Sequence, residues 1–154
     1  MDMKGTAAAI EVRDIDRAAT KDLRQRVLRN HIPGLPADAP SDDFPDTWHL
    51  GAFRAGHLLG VVTGFSEEAP GHPGVRAQRF RFMAVEPSAQ GSGVGSTLIR
   101  RVIERARSRG DHLLWANGRD TALDFYTGLG FEAVGEMFAD PLSKLPHHVV
   151  LLRL

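Results

Sequence analysis

The stretch QGSGVGSTLIRRVIERARSRG puts glycines at positions 91, 93 and 95, directly ahead of an amphipathic segment that Gly110 closes. Glycine lacks a Cβ and takes positive φ cheaply, so this run brings bare backbone N–H groups to the start of a helix. Val94, Leu98, Ile99, Val102, Ile103 and Ala106 recur at helical spacing behind it, predicting a helix over 94–109. A strand, a glycine turn and a helix in succession form an anion cradle, suited to a phosphate. Of two other glycine-turn chemistries, one fails on its own requirement and the other, dinucleotide or nucleotide-sugar binding, stays open as a lesser alternative. A P-loop needs a lysine before its Ser or Thr, and Gly95 stands there before Ser96. A dinucleotide fingerprint needs a third glycine where Ser96 stands, and it belongs on the first turn of a longer alternating fold. A turn made for packing alone is served by one glycine, not three in five residues.

The rest of the chain alternates short β-compatible runs with two further helical patterns. A first strand is predicted over 7–12. A helix follows, capped by Asp14 or Asp16, with Leu23, Val27 and Leu28 on one face and Ile32, Pro33 and Gly34 as its stop. The segment HIPGLPADAPSDDFPD holds four prolines and four aspartates and predicts no regular element. Strands are predicted over 47–53 and 57–65, joined as a hairpin by Arg54, Ala55 and Gly56. In a strand over 78–85, alternation sets Phe80, Phe82 and Ala84 on one face and Arg79, Arg81 and Met83 on the other. A short strand over 112–116, a helix over 120–128 and strands over 131–138 and 148–154 complete a mixed α/β chain.

Composition narrows what such a chain does. Its 154 residues predict a single domain, 1–154. Nineteen basic residues balance nineteen acidic ones, so no global field draws it to nucleic acid or an anionic membrane. The absence of cysteine excludes disulfides, thiolate metal sites and a cysteine nucleophile. No apolar run approaches the ~20 residues that cross a bilayer, and the first residues do not read as a signal peptide. A soluble, cytoplasmic protein is expected.

The segment VEPSAQGSGVGSTLI resembles the acyl-CoA-binding segment of the GNAT N-acetyltransferase superfamily, whose core is [Q/R]-x-x-G-x-[G/A]. Gln90, Gly93 and Gly95 fill that core, with Val85 where the family's splayed central strand ends. A second segment, ANGRDTALDFYTGLGF, is similar to the family's strand–Asn–helix–Tyr–GF run, with Asn117, Ala122, Tyr126, Gly130 and Phe131 at its spacing. The resemblance implies a mostly antiparallel central sheet of six to seven strands flanked by helices, splayed at the end of the 78–85 strand. It covers most of the chain and is weakest over 34–46.

That resemblance implies direct transfer of an acetyl group from acetyl-CoA to a primary amine of a small molecule or peptide in a ternary complex. The pyrophosphate would sit on the amides of Gly91, Ser92, Gly93, Val94, Gly95 and Ser96, beside Gln90. Pantetheine would pair with the backbone of Met83, Ala84 and Val85 and meet Asn117. The Val85 N–H would stabilise the tetrahedral oxyanion, and Tyr126, the one tyrosine of the chain, would protonate the leaving thiol. The alternative is an acyl-CoA-binding sensor or interaction module of the same fold without turnover. The implied partners are acetyl-CoA and an amine acceptor, with a homodimer left open and neither nucleic acid nor membrane. No metal is expected, since His49, His147 and His148 lack further supporting ligands.

The base that deprotonates the amine stays open among Glu67, Glu68, His49, His147 and water. The acceptor stays open too. Arg79 and Arg81 hint at a carboxylate on it, whereas the aspartates of 38–46 hint at a cation.

Overall fold

The computed structural model describes residues 9–29 and 34–154. A seven-stranded sheet runs through them: β1 (Glu11–Asp14), β2 (Trp48–Arg54), β3 (His57–Ser66), β4 (Ala77–Val85), β5 (Leu113–Arg119), β6 (Glu132–Ala139) and β7 (Pro146–Arg153). Their order is β1-β2-β3-β4-β5-β7-β6. Neighbours are antiparallel except β4 and β5, which run parallel. Helix α1 (Arg17–Leu23) leads into a π-helical turn over Arg24–Leu28, while α2 (Val94–Ser108) and α3 (Leu123–Gly128) follow β4 and β5.

The two sheet faces carry separate cores. The six apolar residues that define the α2 stripe are all buried, against Leu50, Ala52, Val62, Phe80, Leu114, Ala116 and Val150. The adjacent residue Val61 points the other way and meets Leu23 of α1, with Val27 and Leu28 beside it. Asp16 accepts a hydrogen bond from the Ala19 N–H at 2.9 Å and so caps α1. Asp14, the other candidate cap, lies in β1, which runs on to Asp14 rather than ending at Val12. Residues 7 and 8, and Ile32 and Pro33 of the expected helix stop, lie outside the described residues. Ala55 and Gly56 both take positive φ, 51° and 80°, in a two-residue hairpin loop between β2 and β3. Part of the proline- and aspartate-rich segment is regular after all, a 3-10 turn over Pro40–Asp43. Asp42 fixes it by accepting from the Ala39 N–H and pairing with the fully buried Arg24 at 2.8 Å.

Strand β4 departs furthest from simple alternation. Phe82 sits at φ 56°, and the register with β3 slips there, from Val61↔Ala84 to Thr63↔Arg81. Phe82 and Met83 together oppose Val62, which is a β-bulge. One extra residue shifts the phase of a period-two strand, so the expected grouping of Phe80, Phe82 and Ala84 on one face does not hold. Phe80 lies in the α2-side core with Met83 and Val85 against it, whereas Ala84 packs with Leu23 and Val61 on the α1 side. The same strand also opens the sheet. It pairs with β5 only at Ala77↔Leu113, Gln78↔Leu114 and Arg79↔Trp115, and beyond Arg79 the two strands part.

Candidate active site

The parting of β4 and β5 creates a cleft of about 720 Å³. Met83, Val85, Gln90, Gly91, Gly93, Gly95, Ser96, Asn117 and Tyr126 line it, nine of the residues singled out from sequence. The remaining three sit differently. Ala84 is buried on the α1 side and pairs with Val61, so it faces away from the opening. Val94 is buried in the α2 stripe, and the Ser92 hydroxyl donates to the Ala89 carbonyl, leaving the backbone N–H of Val94 as the group near the turn.

The glycine turn is built to meet an anion. Gly91 and Gly93 take φ of 81° and 92°, and Gly93 is the N-cap residue of α2. A Cβ added at either would touch nothing within 4 Å, so bare backbone borders open space there. Among the described residues, no acceptor takes the N–H of Gly91, Gly93, Val94, Gly95 or Ser96, whereas the Ser92 N–H is used by Ala89 and the Thr97 N–H by Gly93. Five unused donors at the positive end of a fifteen-residue helix fit the diphosphate of acetyl-CoA. No group of three or more His, Cys, Asp or Glu side chains arranged to hold a metal occurs among the described residues.

The end of β4 offers a donor to the same cleft. The Glu86 N–H donates to the Leu59 carbonyl at 2.8 Å, so in the antiparallel ladder Gly60↔Val85 is a non-hydrogen-bonded pair. The Val85 N–H is thereby directed away from β3, into the opening, and its carbonyl accepts from the Gln90 side chain at 3.2 Å. Tyr126 approaches from α3. Its ring packs with Phe80, Phe125 and Phe131, centroids 5.1–5.9 Å away, and the residue is 7% exposed. Gly118 of β5 allows this seat, since a Cβ there would come within 2.9 Å of the tyrosine ring. Burial raises the Tyr126 pKa to about 12, so the phenol stays protonated, a donor, through the neutral range.

The four side chains considered as bases separate cleanly. His147 lines the cleft, while Glu67, Glu68 and His49 do not. Glu67 pairs with Arg79 at 2.8 Å and Glu68 accepts from the Gly74 N–H, both beside a separate, shallower depression. His49 is buried, contacts Thr63 Oγ1 through Nδ1 at 2.7 Å, and has its pKa lowered by burial and by nearby Arg24. His147 Nδ1 lies 2.8 Å from the Leu145 carbonyl, an acceptor only, so Nδ1 carries the proton and Nε2 is the basic nitrogen. The aspartates of 38–46 are also spent elsewhere. Asp38 pairs with Arg17 and Lys21, Asp42 with Arg24, Asp43 with Arg17, and Asp46 accepts from the Ser66 N–H.

Sequence reasoning missed several cleft residues. Val27 and Leu28 come from the π-helical turn and Arg29 from the residue just after it, and Asp140, Ser143 and Leu145 from the β6–β7 connection. No local pattern marks them, because only the packing of distant segments over the β4–β5 opening brings them there.

Comparison with known proteins bears on the family and the fold. A Bacillus subtilis (strain 168) protein described as the uncharacterized N-acetyltransferase YitI is 28% identical over 144 residues, covering 94% of this chain and 95% of its own. An acyl-CoA N-acyltransferase from Pseudomonas aeruginosa superposes with a TM-score of 0.73 at 22% identity, over 94% of this chain and 99% of that one. A GNAT family acetyltransferase from Elizabethkingia anophelis, solved with acetyl-CoA bound, gives 0.69 at 13% identity over 94% and 98%. The sequence model of the acetyltransferase (GNAT) family matches residues 14–131, from the end of β1 through the turn after α3, and the chain belongs to that family.

Proposed function

We propose that this protein transfers the acetyl group of acetyl-CoA to a primary amine of a small molecule or peptide, the amine attacking directly while both substrates are bound. The observation that carries the reading is the parted β4–β5 pair, with the unused α2 amides at one end and the Val85 N–H along its edge. When bound, acetyl-CoA supplies an acyl thioester whose C–S bond breaks as the new C–N bond forms. The free N–H groups from Gly91 to Ser96 hold the diphosphate, each charged hydrogen bond contributing about 1.5–3 kcal/mol. Met83 and Val85 present their backbone edge to the pantetheine amides, with Asn117 across the cleft. The Val85 N–H faces the acyl oxygen and stabilises negative charge as it develops there.

Proton transfers complete the chemistry. An alkylammonium has a pKa near 10.4, so the acceptor must lose a proton before it attacks. His147 takes it through Nε2, a reading supported by its place in the cleft and by the proton fixed on Nδ1. Tyr126, held protonated by burial, donates to the departing sulfur and is reprotonated by the second proton that the nitrogen sheds on becoming an amide. The test is release of free thiol from acetyl-CoA across a panel of amines, amino acids, aminoglycosides and peptides. Amine-dependent release supports the reading. Tight acetyl-CoA binding with no release for any acceptor overturns it in favour of a binding module.

A further inference from the structure

The acceptor end of the cleft is lopsided in charge. Arg29, Arg79, Arg81 and Arg119 line the cleft, and Asp140 is the sole carboxylate among the described lining residues. Asp140 is occupied: its Oδ2 accepts from the Leu142 and Ser143 N–H groups at 3.1 and 2.8 Å and holds the turn before β7. Arg79 is neutralised by Glu67 at 2.8 Å and stacked on Trp115. Arg24, just behind the cleft, is neutralised by Asp42.

Arg29 and Arg81 are not directly paired, although both feel the charge of Asp140. Among the described residues neither has a hydrogen-bond or ion-pair partner; both lie over the Phe82 ring, at 5.4 and 4.5 Å. Arg29 is 8% exposed, and its buried Nε has no partner. Burial lowers the pKa of both, that of Arg81 to about 10 with Arg79 adding to the effect; the charge of nearby Asp140 acts to raise both but does not offset the lost water. The strained φ of Phe82 belongs to the same arrangement, since the bulge turns the ring toward the arginines.

We propose that the acceptor is amino-acid-like, an amine that also carries a carboxylate, and that Arg29 and Arg81 bind that carboxylate. The proposal rests on the acetyl-transfer reading above and adds the substrate class. These arginines are not placed for the diphosphate. Arg81 precedes Val85 by four residues, up to about 13 Å of strand, while the glycine turn follows Val85. Val85 therefore lies between the two anion sites, as it must if the thioester is to meet an amine whose carboxylate lies further up β4. The planar guanidinium fork suits a carboxylate in two-point contact. Val27 and Leu28 supply an apolar wall on the same side, available to the acceptor's side chain.

The experiment compares matched acceptors on the whole protein: free amino acids, their amides, the decarboxylated amines and the corresponding aminophosphonates, each with saturating acetyl-CoA and thiol release as readout. The free acids should exceed their amides and the plain amines by about 10- to 100-fold in kcat/KM, most of it in KM. Arg81→Met and Arg29→Met should erase that gap by slowing the acids alone, with acetyl-CoA affinity by calorimetry unchanged. Amides or plain amines turned over as well as the acids, or aminophosphonates preferred tenfold, would overturn the proposal while leaving acetyl transfer standing. Acetyl-CoA binding with no thiol release for any acceptor would instead remove the acetyl-transfer reading on which it rests. The wild-type comparison decides the matter even if a variant does not fold.

Discussion

Replacing Gly93 by Asp tests the anion cradle, and its size follows from the local geometry. Gly93 sits at φ 92°, and a Cβ there meets nothing within 4 Å. The cost to folding is therefore backbone strain alone, roughly 1–2 kcal/mol, or about 2–8 °C in Tm for a chain of this size. The cost to binding is electrostatic. A carboxylate about 5 Å from one phosphate charge, at an effective dielectric near 20, opposes it by ~3 kcal/mol, roughly 200-fold in Kd. Gly93→Ala adds the strain without the charge and should fall well short of that loss. Raising the salt from 0.15 to 1 M shortens the screening length from about 8 to 3 Å, so part of the Asp penalty should return. The assay is calorimetric acetyl-CoA binding at both salts, with circular dichroism confirming the fold. A folded Gly93→Asp protein with wild-type affinity would refute the assignment of the diphosphate to this turn.

Tyr126→Phe keeps the ring contacts with Phe80, Phe125 and Phe131 and removes only the oxygen, so Tm should barely move. A thiol leaves fairly well unaided, so steady-state kcat should fall by about 10- to 100-fold, at the low end for general-acid assistance, with acetyl-CoA binding unchanged. His147→Gln should lower kcat/KM by about 100-fold at neutral pH and recover as pH rises toward the ammonium pKa near 10.4, where the acceptor deprotonates itself; a pH-independent loss would count against a base role. Asp42→Ala leaves the fully buried Arg24 without its counter-ion and should destabilise by about 3–5 kcal/mol in urea unfolding, whereas Arg24→Met combined with Asp42→Leu should recover most of it. Burial acts to raise the Asp42 pKa, but hydrogen bonds from Arg24 and the Ala39 N–H outweigh it and hold the carboxyl below its ordinary value. Its contribution is then fully present above the unfolded pKa of about 3.9 and lost as pH falls through the lower folded value, a dependence that Asp42→Ala should abolish.

By itself the sequence determined the elements and one end of the cleft, since both depend on residues adjacent in the chain. The α2 stripe is legible because a 3.6-residue period must turn one face to the sheet, and all six of its apolar residues are buried. The glycine turn is legible because positive φ with open space at Cβ is a requirement only glycine meets freely, and Gly91 and Gly93 show both. The other end of the cleft was decided by tertiary structure. Phe82 looks like one more alternating strand residue until the bulge reverses the phase of β4 and turns Ala84 away from the opening. His49 and His147 are equivalent as letters, yet one is enclosed against Thr63 and the other lines the cleft beside Asp140 and Ser143. Arg29 and Arg81 are more than fifty positions apart and resemble the chain's other arginines in sequence. Only their meeting over one phenylalanine ring, with no carboxylate in direct contact, leaves a buried Arg29 and a half-buried Arg81 suited to an anion from outside the chain.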